Sequence, residues 1–210
     1  MRQSLYVVDR AQHWEAVYAS KPLTELSWYE RDPVTSLRLI EEIASGSPVA
    51  VIDIGAGASS LVDHLLDHGF TDLTVLDLSG TALAGMRERL GERAWNVTFV
   101  QHDVLSWDVD HQYDLWHDRA VFHFLTEETA RRRYREVTER AIRVGGSLVL
   151  ATFAEDGPTQ CSGLPVARYS AQALAEEFSE HFSLLWQERE EHVTPGGIVQ
   201  PFTWVVLRRI

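Results

Sequence analysis

Cysteine is almost missing from this chain: Cys161 is the only one among 210 residues, so no internal disulfide framework is available. Long apolar runs are missing too, and none approaches the roughly 20 residues that a membrane-crossing helix needs. The first ten residues, MRQSLYVVDR, lack the apolar core of a secretory signal, which makes a cytoplasmic protein the expectation. No repeat and no tract rich in Gly, Ser or Pro interrupts the sequence. Lysine is nearly absent, with Lys21 the only one among nineteen basic side chains, against 31 Asp plus Glu and a net charge of −12. A duplex-binding protein draws much of its affinity from basic residues set against phosphate. The densest basic stretch here, Arg131 to Arg135, runs into Glu136, Glu139 and Arg143 at one-turn spacings, which reads as a solvated helix face. Neither nucleic acid nor a membrane is expected as a partner, and the sequence leaves the oligomeric state unknown.

What is present is a regular alternation. The composition, 45% hydrophobic and 24% charged, is that of a globular domain. Residues 49 to 54 form a short apolar run of the kind a buried parallel strand shows. Leu61, Val62, Leu65 and Leu66 stripe a helix over 58 to 68, with Gly69 as its stop. Strands follow at 73 to 79 and 96 to 103, around a helix carrying Leu83, Met86 and Leu90, and a fourth strand starts near Tyr113. The spacing of Ala130, Tyr134, Val137 and Ala141 predicts a long helix from about Thr126, ended by Gly145-Gly146, with a fifth strand at 147 to 153. A helix over 170 to 178 precedes strands at 182 to 190 and 201 to 209, joined through Thr194-Pro195-Gly196-Gly197. The expected class is α/β: a doubly wound, mainly parallel seven-stranded sheet with one antiparallel strand and helices on both faces. Residues 1 to 45 add an N-terminal helical extension to a domain over 46 to 210, one continuous domain overall.

In such sheets ligands bind beyond the carboxyl ends of the strands. The loop after the first strand holds Asp53, Gly55, Ala56 and Gly57, whose glycines permit a tight turn and close approach of a ligand. Twenty residues after Gly57, at the end of the second strand, Asp77 is placed to accept both hydroxyl hydrogens of a ribose. Asp103 closes the third strand. A dinucleotide fingerprint has a third glycine where this chain has Ser60, and Asp53 sits poorly beside a pyrophosphate. Three carboxylates at neighbouring strand ends suit a cationic, phosphate-free nucleoside such as S-adenosylmethionine. An NAD-dependent reductase, or a non-catalytic protein that binds S-adenosylmethionine, is the alternative.

The motifs VIDIGAGAS, VLDLS, QHDVLSW and YDLWHDRAVFHFL resemble the class I (Rossmann-like) S-adenosylmethionine-dependent methyltransferases over about residues 48 to 153. The segment HWEAVYASKPLTELSWYERDP is similar to the N-terminal segments of elongation-factor lysine methyltransferases and of uncharacterised bacterial homologues. The resemblance implies cofactor contacts at Asp53, Gly55, Gly57, Asp77, Leu78, Asp103 and Val104, with Ala56 in the same loop. Trp14 and Tyr18 share a helical face, and Trp28 and Tyr29 precede a helix that begins after Pro33. These aromatics are either packing for the extra helices or a lid over the strand ends, with Trp28 near the cofactor and Tyr29 near the acceptor. In the fourth loop His117 and Asp118 are candidate proton acceptors, joined by His123, with His117 also beside the cofactor. Arg119, Cys161 and Arg168 are candidate acceptor-pocket residues. The histidines form no zinc pattern, so no metal is expected. The expected activity is methyl transfer by in-line displacement, with a small molecule favoured over a protein lysine as acceptor.

Overall fold

The computed structural model describes residues 9–45, 49–57 and 59–210. The expected boundary at 45/46 abuts residues 46 to 48, and Ala58 of the glycine loop likewise lies outside the described residues. Five strands, β1 (Ala50–Ile54), β2 (Asp72–Asp77), β3 (Val97–Gln101), β4 (Tyr113–Arg119) and β5 (Ile142–Phe153), run parallel. A terminal hairpin, β6 (Phe182–Val193) and β7 (Val199–Arg209), inserts β7 antiparallel against β5 and leaves β6 at the edge. The order is β3-β2-β1-β4-β5-β7-β6. Seven strands with only β7 antiparallel is the architecture that the alternation of patterns predicted.

Two apolar layers sandwich the sheet. On one face α2 (Val34–Ala44), α3 (Leu61–Asp67) and α4 (Gly80–Leu90) set Leu39, Ile40, Leu65, Leu83 and Met86 against Val51, Val75 and Leu115. On the other, α5 (Glu128–Ala141) and α6 (Ala171–Glu177) bury Tyr134, Val137, Leu174 and Phe178 against Ile52, Trp116 and Leu148. Central strands are covered on both faces, so their sequences read as unbroken apolar runs rather than alternation. The basic stretch does lie on a helix: Arg131 and Arg135 of α5 both pair with Glu177 of α6 and with Glu128. Arg143, however, sits in β5 and pairs with Asp114 instead of Glu139.

The glycine pair does not end the long helix. That helix stops at Ala141, because Ile142 is already extended (φ −90, ψ 129), and Gly145-Gly146 form a bulge inside β5. Gly145 has φ +79, and a Cβ on Gly146 would lie 2.8 Å from the Arg143 carbonyl, so both positions need glycine. Ahead of the sheet, α1 (Arg10–Ser20) is capped by the Asp9 carboxylate, and α2 follows Pro33 as its sequence predicts. No helix among the described residues is long and apolar enough to cross a membrane.

Candidate functional site

A cleft crosses the carboxyl ends of the parallel strands. Its floor runs from His102, Asp103, Val104 and Leu105 after β3, through Asp77 and Leu78 after β2 and Ile54-Gly55 after β1, to Val121, Phe124 and Leu125 after β4. Cys161, after β5, closes that far end. The glycine loop turns back so that the Gly55 and Ala56 amides donate to the Leu76 carbonyl. Gly55 (φ +62) and Gly57 (φ +50) are left-handed, and a Cβ on Gly55 would fall 2.1 Å from a Val121 methyl. Asp77 is the anchor of this end: its Oδ2 accepts from the Gly57 amide at 2.8 Å and its Oδ1 from the Ser79 amide at 2.8 Å. Burial pushes the Asp77 carboxyl up to about 6, against those two donors. Each oxygen keeps a lone pair for a ligand hydroxyl. Asp103 uses Oδ1 to accept from the Leu105 amide.

Helix α1 covers the cleft. Trp14 packs edge-on against Trp28 (5.7 Å) and Phe124 (5.2 Å), and Tyr18 against Trp28 (6.2 Å). Tyr18 reaches over the glycine loop, where a Cβ on Gly57 would meet its Oη at 2.1 Å. Glu15 fastens the helix to the body by accepting from the Gly80 amide (2.5 Å) and the Thr81 amide at the N-terminus of α4. Arg10 donates to the Phe124 carbonyl at 3.3 Å. Arg10 and Glu15 gave no signal in the sequence, since a helix carrying two exposed-looking charges reads as a solvated face.

A second, smaller cleft lies beside the first, lined by Tyr29, Glu30, Ser36, Asp53, Ala56, His117 and others, with Trp28, Gly55 and Arg119 shared between the two. Trp28 and Tyr29 therefore face different clefts only in part, and Leu78, Asp103 and Val104 are gathered with Asp77 as the motifs predicted. Arg168 is not drawn in: its guanidinium donates to the Gly157 carbonyl and lines neither cleft. Cys161 lines the far end as a neutral thiol, pushed up to about 11 by burial.

The three candidate proton acceptors are a different matter. Alternation along β4 turns His117 toward the α2 layer and Asp118 toward the α5 layer, so neither side chain points along the strand to its mouth. His117, 2% exposed, is the register partner of Asp53, meeting its Oδ1 through Nδ1 at 2.7 Å and Ser36 Oγ through Nε2 at 3.0 Å. Asp118, fully buried, accepts from the Val121 and Phe122 amides and from Tyr134 Oη at 2.5 Å, while Trp116 Nε1 donates to Tyr134. Burial pushes its carboxyl up to about 6. His123 is fully buried between Phe124 and Phe153, neither ring nitrogen has a partner among the described residues, and burial pushes it down to about 3. The structure places all three inside the protein instead of at the cleft mouth.

Arg119, next on the α2 side of β4, is held by three groups. Nη1 donates to the Trp28 carbonyl, Nη2 pairs with Glu30 Oε1 at 3.0 Å, and the guanidinium carbon lies 4.6 Å from the centre of the Phe202 ring. Glu30 also meets His192 at 3.3 Å. Burial works to raise the Glu30 carboxyl, but His192 and Arg119 hold it below the usual range. This network straps residues 28 to 30 across the ends of β4 and β6.

The residues present fit an adenosine-type cation. The glycine loop allows close approach at a strand end, and Asp77 holds free lone pairs beside it for the hydroxyls of a ribose. Residues 51–146 match the model of a family described as a methyltransferase domain. The eEF1A lysine and N-terminal methyltransferase of Mus musculus is 28% identical over 154 residues, 69% of this chain but only 22% of that protein. The malonyl-[acyl-carrier protein] O-methyltransferase of Paenibacillus sp. (strain JDR-2) is 31% identical over 108 residues, 49% of this chain and 38% of that one. This chain thus spans about a fifth to two fifths of the length of these relatives. In fold it is similar to the N-methyltransferase NodS from Bradyrhizobium japonicum WM9, solved with S-adenosyl-l-homocysteine, at a TM-score of 0.73 and 16% identity over 95% of this chain and 97% of that one. The glycine loop and the acid closing β2 both lie within residues 51–146, so the part of the chain that builds this site is similar to a methyltransferase domain.

Proposed function

We propose that the protein is an S-adenosylmethionine-dependent methyltransferase that acts on a small-molecule acceptor. The observation that carries this reading is the pairing of Asp77 with the Gly57 amide toward the β2 end of a cleft that runs on to an apolar end over β4 and β5. The cofactor supplies an activated methyl group, so the protein's share is alignment and exclusion of water. Asp77 holds the ribose hydroxyls, Leu78 and Val104 sandwich the base, and Asp103 takes its amino group. Gly55 lets the methionine part pass close to the backbone. Asp53 is occupied by His117, so its part is to fix the first turn of the loop rather than to meet the sulfonium directly.

The N-terminal segment serves as a lid in this reading. Trp14, Tyr18 and Trp28 roof the cleft, and Tyr18 stands over Gly57 at the position a bound ligand approaches, so entry requires α1 to swing or Tyr18 to turn. A roof of rings leaves room for a small acceptor and little for a folded protein surface, which supports the small molecule over a protein lysine. A cytoplasmic setting belongs to the same reading and accords with an unpaired, buried Cys161.

The test is calorimetry with S-adenosylmethionine and S-adenosylhomocysteine on the wild type and on Asp77→Ala. The expected result is binding by the wild type and at least a tenfold loss in the variant, with transfer of labelled methyl to the low-molecular-weight fraction of a cell extract. Wild-type binding by Asp77→Ala refutes the role of that carboxylate, and label appearing only on protein refutes the small acceptor.

A further inference from the structure

This step rests on the methyltransferase reading and concerns the acceptor. The reacting end of the cleft, over β4 and β5, is apolar: Val121, Phe124, Leu125 and Cys161, roofed by Trp14 and Trp28. Among the described residues, the charged groups lining it are two guanidinium groups, Arg10 and Arg119, the second paired with Glu30. Every acid nearby is committed. Asp118 faces Tyr134 and two amides on the far side of β4, Glu30 is shared by Arg119 and His192, and Asp77 and Asp103 belong to the opposite end, over β2 and β3. Among the described residues His117, His123 and Cys161 offer this end no proton acceptor, and His13, packed edge-on against Trp14, does not line the cleft. His117 has both nitrogens engaged, His123 is shut in behind Phe124, and Cys161 is a neutral thiol.

Arg119 carries the second half of the argument. Its Nη groups are used by Trp28 and Glu30, but its Nε is buried and has no partner among the described residues. A buried N–H without an acceptor costs about 1–3 kcal/mol, so a small turn of the Arg119 side chain that brought this donor to a ligand lone pair would be favourable. Arg10 keeps donors to spare after its single bond to the Phe124 carbonyl.

We infer that the acceptor is a small aromatic or apolar molecule whose nucleophilic atom is already an anion at neutral pH, an arenethiolate above all, held by Arg119 and Arg10 against the apolar wall. Among the described residues a protonated amine meets two guanidinium groups there, Arg10 without a carboxylate partner and Arg119 already using Glu30, and no base to take its proton. A thiolate needs no such base. Its lone pair forms the new carbon–sulfur bond as the methyl–sulfonium bond breaks, and both electrons of that bond stay on the departing sulfur. Anion and cation are both consumed, and no proton reaches the protein.

Thiophenol reports its own ionisation, because the thiolate absorbs at longer wavelength than the thiol. It is titrated with pH alone, with the wild type saturated with S-adenosylhomocysteine, and with Arg119→Gln and Arg10→Gln prepared the same way. The expected result is an apparent pKa lowered by about one unit on the wild type, as a neighbouring cation produces, and a smaller shift in each variant. Arg10→Gln keeps the test decisive if Arg119→Gln fails to fold. Heat from S-adenosylhomocysteine with no shift in thiophenol, or faster labelling of benzylamine than of thiophenol, overturns the anionic acceptor while leaving the methyltransferase reading in place. Absence of S-adenosylhomocysteine binding overturns both.

Discussion

Removing the carboxylate of Asp118 should unfasten the wall of the cleft, and the size of the effect follows from its contacts. Among the described residues Asp118 is the acceptor for the part-buried Val121 amide (2.8 Å) and for the buried Phe122 amide (3.1 Å) and Tyr134 Oη (2.5 Å). Asp118→Ala leaves two buried donors empty at about 1–3 kcal/mol each, a loss of about 2–6 kcal/mol set against a typical total of about 5–15, while the part-buried Val121 amide turns to water. Asp118→Asn keeps one acceptor oxygen and loses less. The two variants also differ from the wild type in pH dependence. Burial raises the Asp118 carboxyl from 3.8 to about 6 in the folded chain, so between roughly pH 4 and 6 the folded state holds a proton that the unfolded state has released. Stability contributed by that group therefore falls as pH rises through the window. Two units at about 1.4 kcal/mol each make the gap between wild type and Asp118→Asn narrow by about 3 kcal/mol from pH 4 to pH 7. Asp77, raised in the same way, is common to both chains and cancels. Urea unfolding at the two pH values measures the gap. If Asp118→Ala melts like the wild type and loses only turnover, Asp118 is a proton acceptor at the reacting end and the latch argument is wrong.

Three other outcomes follow from single contacts. His123→Leu removes two buried nitrogens that have no partners among the described residues and should raise stability by about 1–3 kcal/mol in a denaturant titration; a lower midpoint refutes the cost assigned to them. Gly57→Ala forces an L side chain to φ +50 and into Tyr18 Oη, so it should cost about 1–2 kcal/mol from the backbone alone and displace α1, read as faster protease cleavage between residues 10 and 25; unchanged cleavage refutes the placement of Tyr18. Glu15→Gln weakens the fastening of α1 to α4 and should speed release of S-adenosylhomocysteine severalfold in stopped-flow while shifting stability by under about 1 kcal/mol; an unchanged release rate removes the lid from the pathway.

The sheet was legible because its signals are local and repeated: apolar runs bounded by Gly and Asp for β1 to β4, a 3.6-residue stripe for α5, and a turn cluster between β6 and β7. The positions of Asp77, Asp103 and the glycine loop were legible because these groups sit at strand ends, where sequence position alone fixes location. The Gly145-Gly146 pair misled, since glycine ends helices and also makes bulges, and only the pairing of β5 with β4 shows which role applies. The acceptor end was hardly legible. It is built by α1 and by residues 28 to 30 crossing from far away in sequence, and Arg10 to Phe124 or Glu30 to His192 are contacts that no spacing rule anticipates.

The histidines and Asp118 show why chemistry-bearing residues near a strand end need the pleat before a role. From Trp116 to Arg119 the side chains alternate between the two layers, so a run of His, Asp and Arg that looks like one functional cluster is divided between two faces. His117 ties β4 to β1 and α2 through Asp53 and Ser36; Asp118 ties β4 to α5 and shapes the turn that carries Val121 and Phe122. Arg119, the last residue of the strand, lies far enough along to line the main cleft, whereas His117 reaches only the smaller second one. Polar residues spent on fixing the wall leave that wall apolar toward the ligand, and an apolar wall with a cationic rim selects acceptors by charge rather than by a base.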